Sequence, residues 1–212
     1  MIDLHSGQEF SARAFAERVA RRGTEALEQD LGDHTLNPEM EKTIAATKMR
    51  DAAVLVPVTD RNPEASVILT LRNANMRKHS GQIAFPGGTI DPEDGGLPER
   101  AALREAHEEI GLAADRVELL GKLPYYLTTT GYRITPILSL VHPPFDLTAN
   151  PDEVADVFEV PLSFLMNPAN HKRESRIWQG QERFYYTMPY HDRFIWGITA
   201  GIIRTLYERL YK

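Results

Sequence analysis

The chain has no cysteine. Disulfides and thiolate metal sites are excluded, so any metal must sit on oxygen or nitrogen donors. The absence agrees with a reducing cytoplasm, which is the expected location. No apolar run approaches the roughly 18 residues needed to cross a bilayer, so no membrane span is expected. Met1-Ile-Asp-Leu-His5 lacks a basic head followed by an apolar stretch, so no secretory signal is expected. Cationic excess is missing too: 24 Lys and Arg stand against 30 Asp and Glu, a formal net charge of -6. General binding to nucleic acid or to a membrane surface does not fit that balance. No internal repeat or low-complexity segment is found. What remains is 212 residues, 42% hydrophobic, enough for one domain with a full core or one domain with an extension.

The charge that is present is segregated. From Ala65 to Ile90 there is no acidic residue, while Arg72, Arg77, Lys78 and His79 all fall in that span. From Asp91 to Glu109 the acids are Asp91, Glu93, Asp94, Glu99, Glu105, Glu108 and Glu109, against Arg100 and Arg104. A basic segment running into an acidic one is what a metal-bridged phosphate site requires: carboxylates for the metal, cations for the phosphates.

The acidic segment contains a helix with readable ends. Proline suits the first helical position, where its missing N–H would be unpaired anyway, so Leu97-Pro98 marks the start. Gly111 marks the stop, because glycine takes the left-handed cap at low cost. At about 100° per residue, Leu103, Ala106 and Ile110 share one side and Glu105, Glu108 and Glu109 another. Like charges at these spacings repel, so helix propensity alone does not choose the cluster. A solvated acidic face is the plain explanation. A hard divalent cation, Mg2+ or Mn2+, is the other, because it turns repulsion into shared coordination.

The run Arg104-Glu105-Ala106-His107-Glu108-Glu109-Ile110-Gly111-Leu112 resembles the second half of the Nudix box, Arg-Glu-U-x-Glu-Glu-x-Gly-U with U apolar, at every defined position. The first half departs. The gap from Gly88 to Arg104 is two residues longer than the pattern, and Asp94 stands in for a glutamate. Ahead of the box, residues 68–88 resemble the signature of the coenzyme A diphosphatase branch of that family. Leu69, Thr70, Arg72, Arg77, Gly81, Phe85, Pro86, Gly87 and Gly88 fit at its spacing, with Ile68 in place of leucine and Asn73 in place of serine or alanine.

The resemblance implies an enzyme that hydrolyses the diphosphate of coenzyme A or its derivatives to 4′-phosphopantetheine and adenosine 3′,5′-bisphosphate. It implies Mg2+ or Mn2+ held by Glu105, Glu108 and Glu109, with the main chain of Gly87 or Gly88 close by, since a residue without Cβ allows close approach. Arg72, Arg77 and Lys78 would take the phosphates, the arginines in bidentate fashion. Arg104 would orient a box glutamate. The general base is Glu105 or Glu153, the latter in the loop Asn150-Pro-Asp-Glu153. His79 reads better as a loop or core residue than as a base. Tyr125, Tyr126 and Tyr132 border Thr128-Thr-Thr-Gly131, a loop that offers cover for the adenine or the pantetheine arm, although at least one should pack in the core. A pyrophosphatase acting on ADP-ribose or another nucleoside diphosphate derivative is the rival reading. A Nudix ligand sensor without catalysis is a further one, which the retention of all three box glutamates argues against. The expected partner is a small-molecule substrate, with no nucleic acid and no membrane. A homodimer is common in the family.

The expected fold is an α/β or α+β sandwich of the Nudix type, α/β/α, with a mixed sheet and a helical N-terminal extension. Residues 1–50 form the extension, with helices from Ser11 and over Thr24–Leu31, and residues 51–212 form the Nudix domain. Ala52–Val58, Ser66–Leu71, Val117–Leu123 and Val154–Val160 read as strands from their short β-branched runs and turn borders. Ile134–Val141 reads as a strand that Pro136 makes irregular or pushes toward an edge. Pro161–Met166 predicts a short helix. Arg176–Trp178 and Phe184–Met188 predict a hairpin. Apolar spacing predicts a closing helix over Phe194–Leu210, with Trp196 in the core.

Overall fold

A computed structural model describes residues 9–22, 31–61, 64–74, 81–178 and 180–212. Its spine is a parallel pair of ten-residue strands, β2 (Arg50–Thr59) and β8 (Tyr132–Val141). Both are apolar on both faces, as strands covered on both sides must be. Their alternation divides the core in two. Val56, Val58, Leu138 and Leu140 face one cluster; Ala53, Leu55, Ile137 and Val141 face the other.

The sheet has nine strands. Its path runs β1 (Leu31–Gly32), β7 (Tyr126–Leu127), β8, β2, β3 (Ser66–Arg72) and β4 (Ile83–Ala84). Three further strands join it: β5 (Gly87–Thr89) on β2, β6 (Val117–Lys122) on β8, and β9 (Val154–Pro161) on β3. Only the β2–β8 and β1–β7 pairs are parallel, so the sheet is mixed. On one face lies α3 (Pro98–Ile110), burying Ala101, Ala102, Ala106 and Ile110. On the other lie α1 (Ala12–Arg22), through Phe15 and Val19, and α5 (Gly197–Leu210), through Ile202, Ile203 and Leu206. This is the expected α/β/α sandwich with a helix ahead of the sheet. A second sheet of three strands, β10 (Lys172–Trp178), β11 (Gln181–Tyr190) and β12 (Arg193–Trp196), contains the expected hairpin. Short helices α2 (Glu41–Ala46) and α4 (Leu162–Leu165) complete the fold. Among the described residues no helix is long and apolar enough to cross a membrane.

Two expectations fail for physical reasons. Pro136 sits in a central strand, not an edge one. Its carbonyl accepts from Leu123 N–H at 3.0 Å, so its nitrogen faces the same neighbour. There the chain leaves the ladder between β6 and β7, at Pro124, and the missing donor falls in the gap. Phe194–Trp196 lies in β12, not in the first turn of the closing helix, and Trp196 is only partly buried, edge-on to Tyr185, where the core was expected. Gly197, at φ 63°, lets the chain turn from strand into α5. The expected helix over Thr24–Leu31 lies outside the described residues except Leu31, which begins β1. In the tyrosine-bordered loop, Tyr126 is buried and its hydroxyl donates to Asp33 (3.2 Å), which also accepts from Thr129 N–H (3.1 Å). Tyr125 lies under the Arg133 guanidinium and Tyr132 under that of Arg50.

Candidate active site

Helix α3 begins at Pro98 and ends at Gly111, φ 69°, as its end signals predict. The C-terminal turn closes through Leu112 N–H to the Ala106 carbonyl at 3.3 Å. Its glutamates diverge. Glu109 points inward and is 2% exposed, Glu105 is mostly covered, and the Glu108 side chain is half exposed.

Arg104 is the hub of the helix's outer side. Its Nε and Nη2 donate to both carboxylate oxygens of Asp94, each at 3.1 Å. Nη1 donates to Glu105 and Glu108 at 3.0 Å each, and Nη2 to the Thr89 carbonyl at 3.1 Å. Asp94 is 3% exposed and also accepts from Asp91 N–H at 2.8 Å. The Arg104 guanidinium holds the Asp94 carboxyl below its usual pKa, against the effect of burial. The residue standing in for the missing box glutamate is thus fixed to the box arginine.

Glu109 has weaker support. One oxygen accepts from Arg72 Nη1 at 3.4 Å, the other from Gly87 N–H at 3.2 Å. Burial pushes its pKa up to about 7, with Arg72 and Gly87 opposing and Glu105 and Glu153 adding repulsion. Burial also raises Glu105, which Arg104 opposes and Glu108 and Glu153 reinforce. The two glycines have distinct tasks. A Cβ on Gly87 (φ 155°) would strike the backbone of Ala53 and Val54, and one on Gly88 would fall on the Glu105 carboxylate.

The loop bearing Glu153 is tied to both neighbours. Asn150 N–H donates to the Glu109 carbonyl at 2.9 Å, and Thr148 N–H to that of Ile110 at 2.9 Å, so the loop satisfies free carbonyls at the end of α3. Glu153 and Val154 N–H turn back onto the Asn150 carbonyl at 3.1 and 2.8 Å. Asn73 binds the loop from the other side.

The structure therefore brings together Arg72, Gly87, Gly88, Arg104, Glu105, Glu109 and Glu153, with Glu108 at the rim. Arg77, Lys78 and His79 lie outside the described residues. Sequence reading missed Asn150 and the Thr89 carbonyl. The Asn150-Pro151 turn was a signal for the first; a main-chain acceptor leaves none for the second.

As the side chains stand, no three acidic or histidine groups among the described residues lie close enough to share a metal ion. Glu105 and Glu108 are turned onto Arg104 instead. The donor set still fits a hard divalent cation. It is all oxygen, and burial and mutual repulsion both disfavour the charge on Glu105 and Glu109, which a cation would offset.

The NUDIX domain family model matches residues 49–185, from the start of the sheet into β11. A protein of Cronobacter sakazakii named "Uncharacterized Nudix hydrolase NudL" is 41% identical over 171 residues, covering 81% of this chain and 87% of its own length. Its namesake in Citrobacter koseri is 42% identical over 157 residues, covering 74% and 81%. Among solved structures, DR0079 from Deinococcus radiodurans is similar with a TM-score of 0.50 at 14% identity, over 79% of this chain and 87% of that one, a likeness of fold alone. With the family model over most of the chain and relatives above 40% identity along more than four-fifths of their length, the chain belongs to the Nudix hydrolases and is a pyrophosphohydrolase.

Proposed function

We propose that the protein hydrolyses the diphosphate bond of coenzyme A or a derivative, releasing 4′-phosphopantetheine and adenosine 3′,5′-bisphosphate. The observation that carries this reading is a convergence. Arg72 and Gly87, from the two ends of the coenzyme A diphosphatase-like signature, both bond Glu109 of the box. The signature and the box thus meet at one carboxylate.

Nudix enzymes generally use divalent cations. Here Mg2+ or Mn2+ would be held by Glu105, Glu108 and Glu109 beside the Gly87-Gly88 main chain. When bound, the metal supplies charge neutralisation of the diphosphate and acidification of water. Arg72, with Arg77 and Lys78, holds the phosphates and leaves the reacting phosphorus in line. Glu153 or Glu105 accepts the proton as water oxygen attacks phosphorus and the bridging P–O bond breaks. Arg104 fixes Glu105 by an ion pair until the site is filled. Residues 51–212 form the catalytic unit and residues 1–50 a packing extension. Self-association belongs to the same proposal, since β10 has a free edge among the described strands.

Glu105→Gln tests the site. Turnover of coenzyme A should fall by at least about a hundredfold, with the metal concentration for half-activation displaced upward. Unchanged turnover and unchanged metal dependence would show that the box glutamates play no such part. Cleavage of ADP-ribose with coenzyme A ignored would keep the box chemistry and transfer the assignment to the rival substrate class.

A further inference from the structure

Strand β3 ends at Arg72, and Arg72 and the residue that follows it have different tasks. Arg72 reaches Glu109 at 3.4 Å. Asn73, the next residue, is bound to the Glu153 loop twice: its N–H donates to the Glu153 carbonyl at 2.8 Å, and its Nδ2 donates to the Pro151 carbonyl at 2.6 Å. The first bond prolongs the β3–β9 ladder by one step. The second is a side-chain addition to it. The ladder shifts register here, since Leu71 pairs with Asp156 but Arg72 with Val154. Such a bulge bends the strand and re-aims the residues beside it. The loop's other end is fixed to the box helix through Asn150 N–H and the Glu109 carbonyl at 2.9 Å. Glu153 therefore sits in a short frame spanning the end of β3 and the end of α3.

Asn73 is also one of the two positions at which the sequence departs from the branch signature, which has serine or alanine there. Alanine has no donor, and a serine hydroxyl ends one bond short of the amide nitrogen.

We propose that Asn73 is a positioning residue, latching the Asn150–Glu153 turn to the end of β3 and so setting the Glu153 carboxylate against Glu105 and Glu109. This rests on the reading of Glu153 as a proton acceptor in diphosphate hydrolysis. Asn73 touches no reacting atom; it acts through Glu153.

The test uses the full chain with Asn73→Ala, Asn73→Ser, Glu153→Gln and the double variant Asn73→Ala/Glu153→Gln. Two readouts are taken. With coenzyme A and Mn2+, Asn73→Ala should lower kcat about tenfold with KM within about twofold. Asn73→Ser should resemble it, and in the Glu153→Gln background Asn73→Ala should change kcat by less than about twofold. Hydrogen exchange, which needs no activity, should be at least about fivefold faster at residues 150–154 in Asn73→Ala and unchanged at Ala101–Ala106. An equal loss in both backgrounds, a change in KM alone, or no change in kcat overturns the positioning role. Unchanged exchange at 150–154 overturns the latch whatever the turnover. Accelerated exchange in a protein that cleaves no diphosphate keeps the latch and removes the hydrolytic reading on which its purpose rests.

Discussion

Asp94 and Glu109 are both buried carboxylates within one site, and their surroundings drive them in opposite directions. Asp94 receives both forks of Arg104 and a main-chain amide, and its charge is secured. Glu109 receives one long contact from Arg72 and one amide, and its charge is left under strain from burial. The first arrangement is a fixed strut. The second is a carboxylate whose charge a cation would offset, which is what the metal role proposed for it requires. The two glycines beside the box carboxylates separate a structural role from a chemical one. Gly87→Ala would drive Cβ into the Ala53 and Val54 backbone, which cannot yield locally, so it should cost about 2–3 kcal/mol in denaturant unfolding. Gly88→Ala would meet only the movable end of Glu105, so its stability should change by under about 1 kcal/mol while hydrolysis falls at least tenfold, by about 1.4 kcal/mol in barrier. If both glycines affect only stability, the Glu105 carboxylate is not where the chemistry occurs.

At the scale of elements, much was legible because end signals were local. Pro98 and Gly111 bracket α3 through backbone rules that need no tertiary context. Strand β8 was found but misplaced, because whether Pro136 is tolerated depends on a gap in the neighbouring strand. Phe194–Trp196 was misread because a short apolar run fits both a strand and the turn of a helix. The divergence of the box glutamates was illegible for a similar reason: the helix wheel gives their direction, but Arg104 decides where Glu105 and Glu108 turn. His171 shows a link between elements that no motif announced. Its Nε2 donates to the Leu165 carbonyl of α4 at 2.6 Å, leaving Nδ1 to face Arg204 of α5 at 3.5 Å. Burial, more than any other influence, holds its pKa below the usual histidine value; Arg204 adds to this, while the Leu165 carbonyl and Glu208 oppose it. The unfolded chain therefore takes up this proton first. The stability from the neutral ring is present above the unfolded pKa, about 6.5, and is lost as pH falls through the lower folded value. The advantage of the wild type over His171→Gln should accordingly shrink between about pH 8 and about pH 5, as read from urea midpoints. A constant difference would mean that the ring does not titrate differently in the two states.

In the whole molecule, helix α1 shares a core with the sheet that carries the site. Phe15 on α1 is fully buried in the cluster that also holds Val56, Leu138 and Ile203, on the face of the sheet opposite the box helix. Phe15→Ala should cost about 3–5 kcal/mol of stability, with turnover per folded molecule unchanged. Loss of turnover in the still-folded fraction would instead give α1 a role at the substrate. The segregation of charge in the sequence also finds its meaning at this scale. The basic strand end and the acidic helix are separate in the chain, and the fold brings Arg72 at the end of β3 to Glu109 on the helix.

The most direct measurement is product analysis after incubation with coenzyme A and Mn2+ or Mg2+, with and without chelator. Metal-dependent hydrolysis of coenzyme A at this site predicts adenosine 3′,5′-bisphosphate and 4′-phosphopantetheine in equal amounts, both abolished by chelator. Intact coenzyme A alongside cleavage of ADP-ribose, or products that persist at the same rate without metal, would contradict it.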